Sequence, residues 1–140
     1  MSSAASYRQF LKARAGGACE YCRLVEAAAG VTFHLEHIQP RSQGGQTVLA
    51  NLAFSCPGCN FAKGERIVAP DHSGQLQRLY DPRNFEPASL GWHLHFILDI
   101  ITGKILPRTK TAEATVLVLD MNGDLRVGAR MLQIRMGLIA

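Results

Sequence analysis

The chain has 140 residues, enough for one domain with a proper core. With 47% hydrophobic and 19% charged residues it has the makeup of a folded globular protein, which excludes a disordered or low-complexity chain. No apolar run reaches the roughly 18 to 20 residues that span a bilayer, and the net charge of +4 suits a polyanionic partner without requiring one.

The polar opening "MSSAASYRQFLKARAGG" lacks the apolar segment of a secretory signal, so the expected location is the cytoplasm, with no membrane partner. From about Ala5 to Ala15, Tyr7, Phe10 and Leu11 fall at helical spacing, and Gly16-Gly17 stops the helix. "GGACEYCR" predicts a tight turn bearing Cys19 and Cys22. "VTFHLEHI" predicts a strand from Val31 to about His37, followed by a Pro- and Gly-bearing loop, "QPRSQGGQ". "NLAFSC" is extended, and Pro57 suits the first turn of a short helix. Ile67 to Gly91, with three prolines, predicts a largely irregular connection. "WHLHFILDIITGKILP" predicts strands at about Trp92–Ile100 and Lys104–Leu106, joined at Thr102-Gly103. Thr111 is a candidate cap for a helix "AEATVLVLDM" that stops at Asn122-Gly123. Asp124 is a candidate cap for "LRVGARMLQIRM", with its arginines on one side.

Cys19-x-x-Cys22 and Cys56-x-x-Cys59 are two knuckle-spaced pairs. Each offers two thiolates from one turn, and together they complete the tetrahedron that zinc prefers. In a reducing compartment, such pairs point to metal before disulfides. A closed four-cysteine site leaves no open position for substrate, so the expected Zn²⁺ is structural. The 33 residues from Arg23 to Ser55 separate the pairs, more than the roughly 15–20 of a plain zinc ribbon, so the metal closes a loop around something larger. That loop holds His34, Glu36 and His37 within four positions, and burying such groups is costly unless they are paired or metal-bound.

Glu36-His37-Ile38, Pro40, Gly44-Gly45, Asn51-Leu52 and Cys56-x-x-Cys59-Asn60-x-x-Lys63-Gly64, in that order, resemble the HNH endonuclease family. The resemblance covers Cys19 to Gly64. More weakly, through "LYDPR", "W-x-x-HF" and "AEATVLVLDMN", it extends to a bacterial subgroup with a four-cysteine zinc site. It implies an α+β fold: a ββα-metal core stapled by zinc, with a C-terminal β-hairpin and helices packed on it. The expected division is a nuclease core at 1–66 and an extension at 67–140, forming one compact unit.

The implied activity is metal-dependent hydrolysis of DNA phosphodiesters, leaving a 5′-phosphate and a 3′-hydroxyl. In that scheme His37 is the general base, Glu36 and Asn60 hold a divalent cation (Mg²⁺ or Mn²⁺), and Asn51 orients the catalytic loop by hydrogen bonds. The residue types suit the chemistry: histidine titrates near neutrality, and magnesium takes oxygen ligands while keeping waters. Two positions depart from the usual motif: Glu36 stands where aspartate is usual, and Asn60 is a common variant of the final histidine.

Arg41, Lys63 and Arg66 are candidate phosphate contacts, each weighed against a solvated surface role. His34 reads as a surface residue or an aid to metal or phosphate. Trp92 and Phe96 read as strand residues packing on the core, His93 and His95 stay open, and His72 has no assigned role. Arg126, Arg130 and Arg135 read as a basic stripe on phosphates or a solvated face. Two rivals stand beside the nuclease: a zinc-stabilised nucleic-acid-binding module that has lost cleavage, for which Glu36 is the best support, and a structural zinc domain that binds proteins. Oligomeric state stays open, a homodimer included.

Overall fold

Helix α1 spans Ala4–Ala15 and buries Leu11, and Gly16-Gly17 ends it as the sequence predicts. The computed structural model describes residues 4–83 and 88–139. The chain then makes the first cysteine knuckle and enters β1 (His34–His37), shorter than the strand expected from Val31. β1 pairs antiparallel with β2 (Leu52–Ser55), with Glu36 opposite Ala53 and His37 opposite Leu52. β2 is buried throughout, and Phe33 and Phe54 pack with ring centroids 5.4 Å apart. Full burial of such side chains contributes about 1.5–3 kcal/mol each.

Helix α2 (Pro57–Lys63) starts at the proline, and its N-cap is Cys56, whose sulfur accepts from Cys59 N. The first knuckle is stitched to β2: Glu20 N donates to Phe54 O at 2.8 Å, and Phe54 N donates to Glu20 Oε1 at 2.9 Å. Arg14 Nη2 reaches from α1 to Leu52 O at 3.1 Å, so helix, knuckle and strand are fixed together.

Beyond α2 the structure departs from several expectations. The connection expected to be irregular contains a hairpin of β3 (Val68–Pro70) and β4 (Leu76–Arg78). Its turn is built by Asp71, whose Oδ1 accepts from Ser73 N, Ser73 Oγ and Gln75 N. The stretch of that connection at 84–87 lies outside the described residues.

Trp92, His93 and His95, expected on a strand, lie in helix α3 (Ala88–His95). Trp92 and Phe96 are four apart, so the spacing satisfies a helical face as well as a strand face, and their rings pack at 5.1 Å. The strands that follow are β5 (Phe96–Leu98) and β6 (Ile105–Pro107). Helix α4 (Lys110–Val118) is capped by Thr109, which accepts from Ala112 N, and not by Thr111, whose carbonyl accepts from Thr115 Oγ1.

Helix α5 (Asp124–Arg135) begins after Gly123, and Asp124 makes no capping bond. A buried cluster runs from Leu11 and Phe54 through Trp92 and Ile105 to Leu119. Among the described residues, no helix is long and apolar enough to cross a membrane.

Candidate metal centre and catalytic cleft

The two knuckles bring Cys19, Cys22, Cys56 and Cys59 together. All four sulfurs lie within 4.8 Å of one another, with Cys22 Sγ and Cys56 Sγ 3.6 Å apart. Zn–S bonds of about 2.3 Å in a tetrahedron put sulfurs about 3.8 Å apart, so this cluster fits a zinc ion. The knuckles match each other: Cys22 N donates to Cys19 Sγ and Cys59 N to Cys56 Sγ, both at 3.4 Å. Burial pushes the Cys19 and Cys59 thiols up, whereas hydrogen bonds from neighbouring sulfurs hold Cys22 and Cys56 below the usual thiol range. Among the described residues, this is the one group of three or more His, Cys, Asp or Glu side chains able to hold a metal ion.

The second site lies at the end of β1. Glu36, His37, Pro40, Arg41, Asn60, Gly64 and Glu65 border one cleft of about 300 Å³. β1 delivers Glu36 and His37, and α2 delivers Asn60 directly after the zinc knuckle, so both walls of the cleft are tied to the cysteine cluster. His37 is half-buried, and its Nε2 meets Thr47 Oγ1 at 2.9 Å. Burial, together with the positive charges of Arg41 and Lys63, pushes its pKa below the ordinary imidazole value.

Asn51 does not border the cleft. Its side chain closes the loop that follows His37: Oδ1 accepts from Gln39 N at 2.9 Å, and Nδ2 donates to Gln39 O and Gln46 O at 3.0 and 2.9 Å. Gly45 completes this loop, because a Cβ there would sit 1.7 Å from Gln39 O.

Residues 19–66, about a third of the chain, match the family model of the HNH endonucleases. The chain carries an HNH domain. No curated protein and no solved structure matches it.

Within the HNH domain, Glu36 is held more tightly than expected. It is 3% exposed; Tyr21 OH donates to its Oε2 at 2.7 Å, and Lys63 Nζ stands 2.7 Å from its Oε1. Burial raises the carboxyl pKa, and the Lys63 charge opposes that rise. Lys63, expected as a phosphate contact, is therefore placed elsewhere. It is 2% exposed, and its ammonium is engaged by Glu36 and by the carbonyls of Ile38 at 3.2 Å and His37 at 3.5 Å. Arg41 is exposed and borders the cleft, whereas Arg66 is exposed but does not line it. His34 is exposed on β1.

Outside the HNH domain, His93 is exposed, and His95 Nδ1 meets Thr109 Oγ1 at 2.7 Å. Two residues apart on a helix, the pair does not face one point. The expected arginine stripe is absent: Arg126 touches the cysteine cluster, Arg130 is buried and Arg135 is exposed. Arg135 is nine positions from Arg126, half a rotation around the helix axis. Tyr21 and Thr47 were not foreseen. Tyr21 sits between two zinc-knuckle cysteines and Thr47 in an unpatterned loop, so neither carried a local signal.

Proposed function

We propose that the chain is a metal-dependent DNA endonuclease, with His37 as general base and Glu36 and Asn60 as ligands of a divalent cation. The HNH domain carries a nuclease-type function in general. The finer reading is supported by one observation above the rest: Glu36, His37 and Asn60 border the same cleft, with Arg41 at its rim.

The donor set fits a hard cation. Asn60 brings an amide oxygen, and Glu36 brings a carboxylate whose Oε1 is paired with Lys63 but makes no well-aligned hydrogen bond. A divalent cation held there would stabilise negative charge on the leaving oxygen. The tetrathiolate cluster would hold Zn²⁺ as a structural ion, keeping β1 and α2 in register.

The rest of the reaction belongs to the chain's own residues. With its proton on Nε2 shared with Thr47, His37 has Nδ1 left to take the proton of an attacking water. The hydroxide oxygen bonds to phosphorus, the bond from phosphorus to O3′ breaks, and the leaving oxygen takes a proton from solvent water, giving a 5′-phosphate and a 3′-hydroxyl. Arg41 faces the phosphate's charge, and the bonds of Asn51 keep the His37 loop in shape.

A second reading, a nucleic-acid-binding module without cleavage, is favoured by the burial of Glu36 against Lys63 and Tyr21. Plasmid nicking with Mg²⁺ or Mn²⁺, run beside a binding assay at low salt, separates the two. The endonuclease nicks; the binding module retards the DNA and leaves it supercoiled under every metal condition.

A further inference from the structure

Helix α5 presents Arg126, Arg130 and Gln133 at i, i+4 and i+7, one face of the helix. That face lies on the cysteine cluster. Arg126 Nη2 is 2.6 Å from Cys59 Sγ and 3.8 Å from Cys56 Sγ, while its Nη1 donates to Leu119 O and Asp120 O at the end of α4. Gln133 locks the same face to the first knuckle, exchanging hydrogen bonds with Val25 N and Val25 O at 2.7 and 3.0 Å.

Arg130 is fully buried. Its described hydrogen bonds go to Gly103 O, Met121 O and Asn122 Oδ1, none of them an acid, and its Nη1 has no hydrogen-bond partner. A buried guanidinium needs a compensating negative charge. It borders the same groove as Cys22, Cys56 and Arg126, which sets its charge beside the cysteine cluster.

Zinc held by four thiolates carries a net charge of two minus. Two guanidinium groups one turn apart match that charge. Gly58, in the middle of the second knuckle, fits the same arrangement: a Cβ there would lie 3.2 Å from Cδ, Nε and Cζ of Arg126, so glycine lets the guanidinium lie against the knuckle.

We infer that Arg126 and Arg130 form a charge-balancing clasp on the zinc tetrathiolate, which makes the docking of α5 depend on metal loading. The inference rests on zinc occupying the four cysteines. Arg126 is a positioning residue: by holding the Cys59 sulfur it fixes the start of α2, and Asn60 is the next residue. Loss of zinc would remove the anionic centre that the two guanidinium groups face, and α5 would be the element to leave.

The test uses the full chain as wild type, Arg126→Met, Arg126→Lys and Gly58→Ala. Zinc retention is measured against a chromophoric chelator, and the thiolate-to-cobalt charge-transfer band is recorded after Co²⁺ loading. Arg126→Met should weaken metal retention by about tenfold or more and move the band, since groups that orient and neutralise ligands typically contribute that much. Arg126→Lys keeps the charge and should fall between Met and wild type. Gly58→Ala keeps the arginine but displaces it, and should move the band in the same direction. Hydrogen exchange should find α5 protected in the zinc-loaded wild type and exposed after chelation.

Wild-type retention and an unmoved band in both Arg126→Met and Gly58→Ala would overturn the clasp, as would protection of α5 that survives chelation. A wild type that takes up neither Zn²⁺ nor Co²⁺ with a thiolate signature would fail the zinc site itself. That result is distinct from one in which the wild type binds metal and the variants match it.

Discussion

Lys63 Nζ stands 2.7 Å from Glu36 Oε1, and both side chains are buried, at 2% and 3% exposure. This pair joins α2 to β1 beside the cleft and gives Glu36 a cation before any metal arrives. Removing one partner of a buried pair costs about 3–5 kcal/mol, because the other is left uncompensated. Lys63→Met should therefore lower stability by about that much, and Glu36→Gln added to it should recover part of the loss. Urea melts of the two single variants and the double variant check this; strictly additive losses would mean that the pair is not coupled.

Cys56→Ser removes one sulfur of the cluster while its hydroxyl can still cap α2, so the variant isolates the loss of the metal ligand. The variant should lose zinc, measured by elemental analysis. Its melting transition should fall to that of wild type treated with a strong chelator. Full zinc content with an unchanged transition would count against the structural site.

Asn51 holds the loop after His37 through three hydrogen bonds to backbone groups of Gln39 and Gln46. Asn51→Ala strands those groups at about 1–3 kcal/mol for each that stays buried and unpaired. Cleavage should fall at least tenfold while zinc content stays whole. Wild-type cleavage would remove Asn51 from the positioning of His37.

Asp71 organises the β3–β4 turn, and hydrogen bonds led by the Ser73 hydroxyl lower its carboxyl pKa to about 2. Its ordinary value is about 3.9, so the folded value is the depressed one. The stabilisation is then fully present above about pH 4 and is lost as pH falls toward about 2. Asp71→Asn should melt below wild type at neutral pH, and the gap should close in acid. A gap that stays constant down to about pH 2 would contradict the turn's dependence on the ionised carboxylate.

The motif-bearing half was the more legible because its signals are local. Two Cys-x-x-Cys pairs, a proline at the start of α2 and a Gly-Gly stop after α1 each force a backbone shape on their own. The region from Trp92 to Phe96 was ambiguous in the sequence because residues four apart share a face in both periods, and the burial of Trp92 against Phe96 decides for a helix only in three dimensions. The β3–β4 hairpin did carry a signal, Pro70-Asp71 with Gly74, which the prolines around it masked. The partners of Glu36 had no sequence signature at all. Tyr21 and Lys63 lie 15 residues before it and 27 residues after it, and only the fold makes them neighbours. The same holds for Arg126, which is 67 positions from the sulfur it touches.

The central claim is that the cleft at the end of β1 hydrolyses DNA with His37 as base, and plasmid nicking by wild type and His37→Ala, side by side with Mg²⁺ or Mn²⁺, tests it most directly. Wild type should convert supercoiled plasmid to nicked form only when the divalent cation is present. His37→Ala should lose at least about a hundredfold in rate, since a positioned base contributes roughly 10²–10⁴-fold, and should keep its fold, its zinc and its DNA binding. Equal nicking by the two proteins, or none by wild type under any metal condition, would contradict the account.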